Sequence, residues 1–369
     1  MDLTKIDTPA ILIDMDKVLA NLHKMQDFAD SQGLKLRPHI KTHKMPWLAK
    51  LQLENGAAGI TCASVGEAEC MVAHGIKDIF IAYEIIGPGK LKRLVDLMEK
   101  AKIITGVDSK EGADALNRAA LERGLIAEVR IEIDTGMKRA GIHPDGVLEL
   151  ARHITALPGL KLTGIFTYKS STLKGQGTSD NKAAAIEESD LMAKLAETLS
   201  RAGIPLRDIS GGSTPTARFT NQVSGLTEIR PGSYIFGDVQ RINAGAMEPQ
   251  DCAATVATTV ISVPAQNRAV IDGGSKVFSG DSPQNTSPLF IKGQGLITGR
   301  PDLVFARMNE EHGVIESLDG GPTNLHVGDI LRIIPNHTCT SMNLFDYVHV
   351  IEKDGSIRRE RVEARGMSY

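Results

Sequence analysis

Between residue 34 and residue 240 the chain alternates eight short apolar runs with amphipathic stretches, and this alternation restricts its fold more than any other feature. The runs are Leu34–Lys41, Gly59–Ser64, Asp78–Tyr83, Lys102–Val107, Ala127–Asp134, Leu160–Tyr168, Asp208–Ser213 and Thr227–Pro231. Stretches of helical period, among them Val65–His74, Lys90–Lys100, Lys110–Arg123 and Ala183–Arg201, lie between them. A short β-branched run suits a strand buried on both faces, and parallel strands need crossovers of helical length. Eight such units predict a (β/α)8 TIM-type barrel over residues 15–240. A doubly wound sheet competes, but the count of eight favours the barrel.

Beyond Arg241 the texture changes. Thr255–Val263, Arg268–Ile271, Pro288–Ile297, Val327–Ile334 and Tyr347–Glu352 are β-branched runs separated by Gly, Asn and Asp, the pattern of an all-β C-terminal domain over 241–369. Ala10–Asp14 is a further strand outside the eightfold count, so residues 1–14 are assigned to that β domain. The fold class is α/β: an N-terminal barrel followed by an all-β domain.

Charge and cysteine content narrow the function classes. A net charge of −3 with 24% charged residues offers no basic excess for nucleic acid or an anionic membrane. The segment Met1–Lys5 lacks a signal-peptide core, and four cysteines in 369 residues make no disulfide framework. A cytoplasmic enzyme is expected.

Chemistry in such barrels collects at the C-terminal ends of strands, and phosphate often sits in the loops after the last two. Lys41 closes the first run inside Arg37-Pro38-His39-Ile40-Lys41-Thr42-His43-Lys44. A lysine amine placed there is a candidate nucleophile toward a carbonyl. His39 and His43 flank it, either tuning its pKa or filling the barrel mouth. Asp134-Thr135-Gly136-Met137-Lys138-Arg139-Ala140-Gly141 follows the fifth run, and Tyr168 ends the sixth. Gly211-Gly212-Ser213-Thr214 and Arg230-Pro231-Gly232-Ser233-Tyr234 follow the seventh and eighth, with glycines that admit an anion to backbone amides. Each would pass alone as an ordinary turn. An amine opposite two such turns points to pyridoxal phosphate.

These motifs, with Pro335-Asn336-His337-Thr338-Cys339 in the β domain, resemble fold-type III pyridoxal-phosphate enzymes, related to alanine racemase. The chain is most similar to the branch of D-threonine aldolases and D-serine dehydratases. The resemblance implies that Lys41 holds the cofactor as a Schiff base and serves as catalytic base. It places Arg139 at the phenolic oxygen, Tyr168 at the ring with a catalytic part, and His39 in the cofactor set. Gly212, Ser213, Thr214, Gly232 and Ser233 would hold the phosphate, and Arg230 resembles the arginine that racemases set against the pyridine nitrogen.

His337 and Cys339 are read as lying on a strand, with both side chains on one face. Imidazole plus thiolate suits Zn²⁺ ahead of Mn²⁺, and the resemblance implies a metal that holds a substrate β-hydroxyl. Aldolases of this branch tend to show His-x-Asp there and D-serine dehydratases His-x-Cys. The expected reaction is therefore β-elimination from a D-3-hydroxy amino acid, giving a 2-oxo acid and ammonia. Retro-aldol cleavage to glycine and an aldehyde, racemisation, and non-catalytic cofactor binding are the alternatives. The relatives carry histidines after Tyr168, one of them the aldolase base, whereas this chain has Lys169-Ser170-Ser171-Thr172-Leu173-Lys174. Lys169 and Lys174 are read as solvated loop residues, with binding of a second substrate anion as the alternative. The polar loop Lys169–Asn181 is a candidate lid. His312 is read as a turn residue, with reach to the active site from the β domain as the alternative, and Cys62 and Cys70 as small buried groups. A homodimer acting on a small D-amino acid, with no nucleic-acid or membrane partner, completes the expectation.

Overall fold

In a computed structural model, which describes residues 3–221 and 225–369, each of the eight apolar runs contains a strand. After β1 (Ala10–Asp14) come β2 (Lys35–Leu36), β3 (Ile60–Cys62), β4 (Asp78–Glu84), β5 (Lys102–Val107), β6 (Ala127–Glu132) and β7 (Leu160–Phe166). A small hairpin, β8 (Thr172–Leu173) and β9 (Gln176–Gly177), occupies the polar loop, and β10 (Asp208–Gly211) and β11 (Glu228–Ile229) complete the set. The order β2-β11-β10-β7-β6-β5-β4-β3 is parallel throughout. Ala58 N and Thr61 N donate to Leu36 O and Pro38 O, each at 2.8 Å, and His39 bridges Thr61, so the first and last strands meet and the barrel closes.

The first strand is shorter than the Leu34–Lys41 run predicts. Pro38 has no N–H for a ladder, and the chain turns into a 3-10 segment, Ile40–Thr42, that carries Lys41. Helices α1 (Met15–Ser31), α2 (Pro46–Glu54), α3 (Val65–Ala73), α4 (Pro88–Met98), α5 (Lys110–Leu121), α6 (Val147–Thr155) and α7 (Asn181–Arg201) follow their strands in alternation. Ser64 and Ser109 cap α3 and α5 by accepting from the amides of Glu67 and Gly112.

The barrel interior is partly ionic. Phe80 and Phe166 meet edge to face at 4.9 Å from strands that are not neighbours, so both point inward. A Cβ on Gly106 would stand 2.9 Å from the Phe166 ring, which accounts for the glycine. Around them Glu228 accepts from Arg37 Nε at 2.8 Å, Arg130 NH1 at 2.6 Å and Ser210 Oγ at 2.6 Å, all fully buried. Burial works against the Glu228 carboxylate, yet Arg130 and Arg37 hold its pKa well below the usual range.

Two compact units divide the chain: Lys24–Lys41, Met45–Gly232 and Met367–Tyr369 form the barrel unit; Met1–His23, Thr42–Lys44 and Ser233–Gly366 form the other. In the second unit β12 (Ala254–Ala265) pairs antiparallel with β1, as the extra N-terminal strand predicts, and β1 runs parallel to β18 (Tyr347–Ile351). Its nine-stranded sheet also contains β13 (Arg268–Ile271), β14 (Gly295–Ile297), β15 (Leu303–Met308), β16 (Gly313–Ser317), β17 (Ile330–Pro335) and β19 (Ile357–Arg361). The run Pro288–Ile297 yields a strand only at its end. Short helices α8 (Thr214–Ala217) in the barrel unit and α9 (Val239–Asn243), α10 (Ser275–Phe278) and α11 (Thr338–Met342) in the other complete the elements used below. No described helix is long and apolar enough to cross a membrane.

Candidate active site

At the C-terminal end of the barrel strands, two cations converge on one ring. Lys41 Nζ lies 5.6 Å from the centroid of Tyr168, and the Arg139 guanidinium lies 5.1 Å from it. Lys41 is half-buried and makes no ion pair with a carboxylate of the described residues. Its backbone N–H donates to His39 Nδ1 at 3.4 Å, a long bond that ties His39 to the same turn. The barrel motif thus brings Lys41, His39, Tyr168 and Arg139 into one neighbourhood. His43 falls in the second unit, where it is buried edge-on to Phe236 at 6.5 Å.

Arg230 is buried after β11. It donates to Ser210 Oγ and, at 2.6 Å, to Thr167 O, and its guanidinium faces the rings of Phe80 and Phe166. Burial pulls its pKa down to about 10 against the opposing effect of Glu228, so it is charged at neutral pH.

The turn after β10 is held from within the protein. Gly212 has φ +68°, a conformation suited to glycine. Its N–H donates to Glu188 Oε2 at 3.3 Å, while the Ser213 N–H donates to Thr216 Oγ1 at 2.9 Å. Both amides are thus engaged within the protein, and the hydroxyl of Ser213 lies 3.0 Å from that of Thr216; Ser213 and Thr214 are buried. Gly232 ends the barrel unit; Ser233 opens the next and accepts from Arg241 NH1 at 3.4 Å. Arg241 escaped the sequence reading, although it stands beside a phosphate-type serine and its Nε has no hydrogen-bond partner among the described residues.

Lys169 is not a solvated loop residue. It is 1% exposed, donates to Thr135 O at 2.8 Å and pairs with Glu187. Glu187 also accepts from the backbone N–H of exposed Lys174, so the β8–β9 hairpin is fastened to α7. A cation this deep needs a paired anion, and the Ala-rich flank of α7 lets Glu187 supply it. Near the mouth, Glu84 and Glu132 share a hydrogen bond; burial and that neighbour push Glu84 up to about 9.

In the second unit His337 and Cys339 do not share a strand. β17 ends at Pro335, His337 is the N-cap of α11, and Cys339 lies in its first turn. The helix start is fixed because Thr338 N donates to Asp238 Oδ2 at 3.2 Å and Thr338 Oγ1 to Gly237 O at 2.6 Å. The His337 ring caps no amide; it turns to Asp281, with Nδ1 2.6 Å from Oδ2, and hydrogen-bonds Cys339. Burial alone would lower the His337 pKa, but Asp281 and Cys339 push it up to about 10. Burial likewise opposes the Cys339 thiolate, and the His337 hydrogen bond outweighs it. Thr42 Oγ1 lies 3.2 Å from Cys339 Sγ. Among the described residues no three His, Cys, Asp or Glu side chains form a metal-binding group. The pair alone suits a soft-to-borderline divalent ion with coordination positions left open, since such an ion displaces the proton that imidazolium and thiolate share. His312 is an exposed residue of the β15–β16 turn, and Cys62 and Cys70 are buried.

Comparison with known proteins agrees with both halves. Residues 13–240 match the family model of the alanine racemase N-terminal domain, and residues 253–351 match a serine dehydratase domain. The chain is 34% identical to D-threonine aldolase of Arthrobacter sp over 99% of its length and 94% of that protein's. It is 35% identical to D-threo-3-hydroxyaspartate dehydratase of Delftia sp. strain HT23, covering 96% of this chain and 97% of the relative. A solved structure of a cysteine-to-alanine variant of D-threo-3-hydroxyaspartate dehydratase, in the metal-free form, superposes with a TM-score of 0.90. It is 33% identical, with 98% of this chain and 99% of that one covered.

Proposed function

The chain belongs to the fold-type III pyridoxal-phosphate lyases that include D-threonine aldolase and D-serine dehydratase, and from that premise we propose that it eliminates water from a D-3-hydroxy amino acid. The products are a 2-oxo acid and ammonia. The observation that carries this choice is the His337–Cys339 pair, backed by Asp281. A cysteine-to-alanine variant of the related dehydratase is described in a metal-free form, and metal use by that relative is in keeping with a metal at the His337–Cys339 pair here. Lys169 points the same way. Where the aldolases of this branch carry a histidine base, this chain has a lysine buried against Glu187, out of use as a base or as a ligand for a second substrate carboxylate.

Bound pyridoxal phosphate supplies an electron sink for the substrate's α-carbon. A divalent metal, Zn²⁺ ahead of Mn²⁺, supplies a Lewis acid for the β-hydroxyl. Lys41 would hold the cofactor through its amine, and its Nζ would take the substrate's α-proton. Arg139 and Tyr168 would position the cofactor ring beside Lys41, and His39 steadies the turn that carries Lys41. Ser213, Thr214, Gly232 and Ser233 would hold the phosphate end, and Gly212 would shape the turn that receives it. Arg230, charged and buried, would face the pyridine nitrogen, while His337 and Cys339 would hold the metal. The domain division at residues 15–240, with 1–14 and 241–369 forming the β domain, a homodimer and a cytoplasmic location belong to the same reading; the four free cysteines are in keeping with a reducing compartment.

A second reading, retro-aldol cleavage, is favoured by the similarity to D-threonine aldolase. The test is to incubate the protein, pyridoxal phosphate and Zn²⁺ with D-serine, D-threonine or D-threo-3-hydroxyaspartate and assay ammonia and 2-oxo acid. Formation of both, lost in Lys41→Ala and in Cys339→Ala, is the expected result. Glycine formation without ammonia would refute the dehydratase reading.

A further inference from the structure

We infer that Glu188 is a positioning residue for the phosphate end of the cofactor site, an inference that rests on the function proposed above. Glu188 lies on the inner face of α7 and is 1% exposed. Its carboxylate accepts the N–H of Gly212, in the turn after β10, at 3.3 Å, and Lys169, directly after Tyr168, is among the groups that favour its charged form. One buried side chain therefore holds the phosphate turn from behind, beside the segment that carries the ring-facing tyrosine.

The Gly211-Gly212 pair makes physical sense around this carboxylate. Gly212 has the left-handed φ that other residues adopt at a cost, and a glycine peptide is free to rotate unless something holds it. Glu188 holds it through the N–H. Gly211 is glycine for a different reason: a Cβ there would stand 3.2 Å from Glu188 Oε1, so its absence leaves room for the carboxylate to approach. The glycine motif is thus shaped from behind by Glu188 as well as from the front by an anion.

The charged groups that face Glu188 are Arg230, at the end of the neighbouring strand, and Lys169. Burial pushes the carboxyl up to about 7 in spite of them, so Glu188 sits on the edge of ionisation, as befits a group sealed behind an anion site. Its neighbour Glu187 faces Lys169 Nζ and the hairpin. The Glu187-Glu188 dipeptide divides the work: one residue fastens the hairpin, the other the cradle.

The test compares reconstitution with pyridoxal 5'-phosphate and with pyridoxal, which lacks the phosphate, each followed by the absorbance of the lysine imine. In Glu188→Gln, which keeps the side chain's volume, pyridoxal phosphate should bind roughly 10- to 100-fold more weakly, the loss expected when a charge-assisted tether is removed. Pyridoxal should bind within about twofold of the wild-type protein, since it does not use the cradle. Gly211→Ala, which displaces the carboxylate from the other side, should give the same phosphate-selective loss. Equal weakening toward both aldehydes, or unchanged affinity for pyridoxal phosphate in both variants, would overturn the inference while leaving the cofactor assignment intact. Failure of the wild-type protein to form an imine with either aldehyde would overturn both.

Discussion

Removing the carboxylate of Asp281 should weaken divalent-metal binding without touching either ligand. Asp281 Oδ2 lies 2.6 Å from His337 Nδ1, and Thr340 Oγ1 and Ser279 Oγ donate to its other oxygen at 3.0 and 3.1 Å. It fixes the tautomer and leaves Nε2 to the metal. A hydrogen bond to a charged group contributes about 1.5–3 kcal/mol, and about 1.4 kcal/mol is a factor of ten. Loss of the bond therefore predicts a roughly 10- to 150-fold drop in affinity, in line with the range of about 10–100-fold for carboxylates behind ligating histidines. Asp281→Ala should lie toward the upper end and Asp281→Asn, which keeps a neutral acceptor, near about tenfold. The assay is calorimetric titration of Zn²⁺ against a competing chelator, with no turnover involved. Thr340→Val controls for the hydroxyl that also leans on Asp281. Zn²⁺ affinity within about twofold of wild type in Asp281→Ala, or an equal loss in Thr340→Val, would refute the reasoning.

Glu228→Gln should lower the melting temperature by about 5–10 °C, because opening a buried ion cluster costs about 3–5 kcal/mol and each kcal/mol is worth about 2 °C in a chain this long; a shift under about 2 °C would contradict the cluster's importance. The Glu228 carboxyl is depressed in the folded state, so its stabilisation is present above the unfolded pKa and is lost as pH falls below it, and an acid melt of Glu228→Gln should be the shallower of the two. Glu188 has the opposite sign. Its folded pKa is raised to about 7, so its stabilising contribution is full below the unfolded value of 4.5 and declines as pH rises toward 7; Glu188→Gln should lose that decline in denaturant titrations across this range. Arg241→Ala should weaken pyridoxal phosphate binding by roughly tenfold, read from imine absorbance, and a change under about twofold would remove Arg241 from the phosphate site.

The barrel was legible because its strands carry buried apolar runs, such as Ile79-Phe80-Ile81 in β4 and Ile165-Phe166 in β7. Strands with a solvated face hid more easily. Ile357-Arg358-Arg359-Glu360-Arg361 is an edge strand whose charges mask its pattern, and Leu303–Met308 and Gly313–Ser317 are too mixed to stand out. At the site, Lys41, Tyr168 and Arg139 came from motifs, and the structure gathers them. His337 and Cys339 also came from a motif, but the two-residue spacing was read as strand alternation when it reflects an N-cap folding over its first helical turn. Asp281, Glu188 and Arg241 carry no local signal. Asp281 reaches His337 across 56 residues and Glu188 reaches Gly212 across 24, so only the folded chain reveals them. Lys169 was misjudged because a lysine in a Ser- and Thr-rich loop looks solvated until its partner on α7 is known.

The most direct test of the proposed function is proton NMR in D₂O of the protein with pyridoxal phosphate, Zn²⁺ and D-threonine. The account predicts 2-oxobutyrate and ammonia, with no glycine, and loss of the signal in Lys41→Ala. Glycine with acetaldehyde would contradict it in favour of an aldolase that uses another base, and α-deuteration with the Cα epimer, L-allo-threonine, accumulating would contradict it in favour of a racemase built around Arg230.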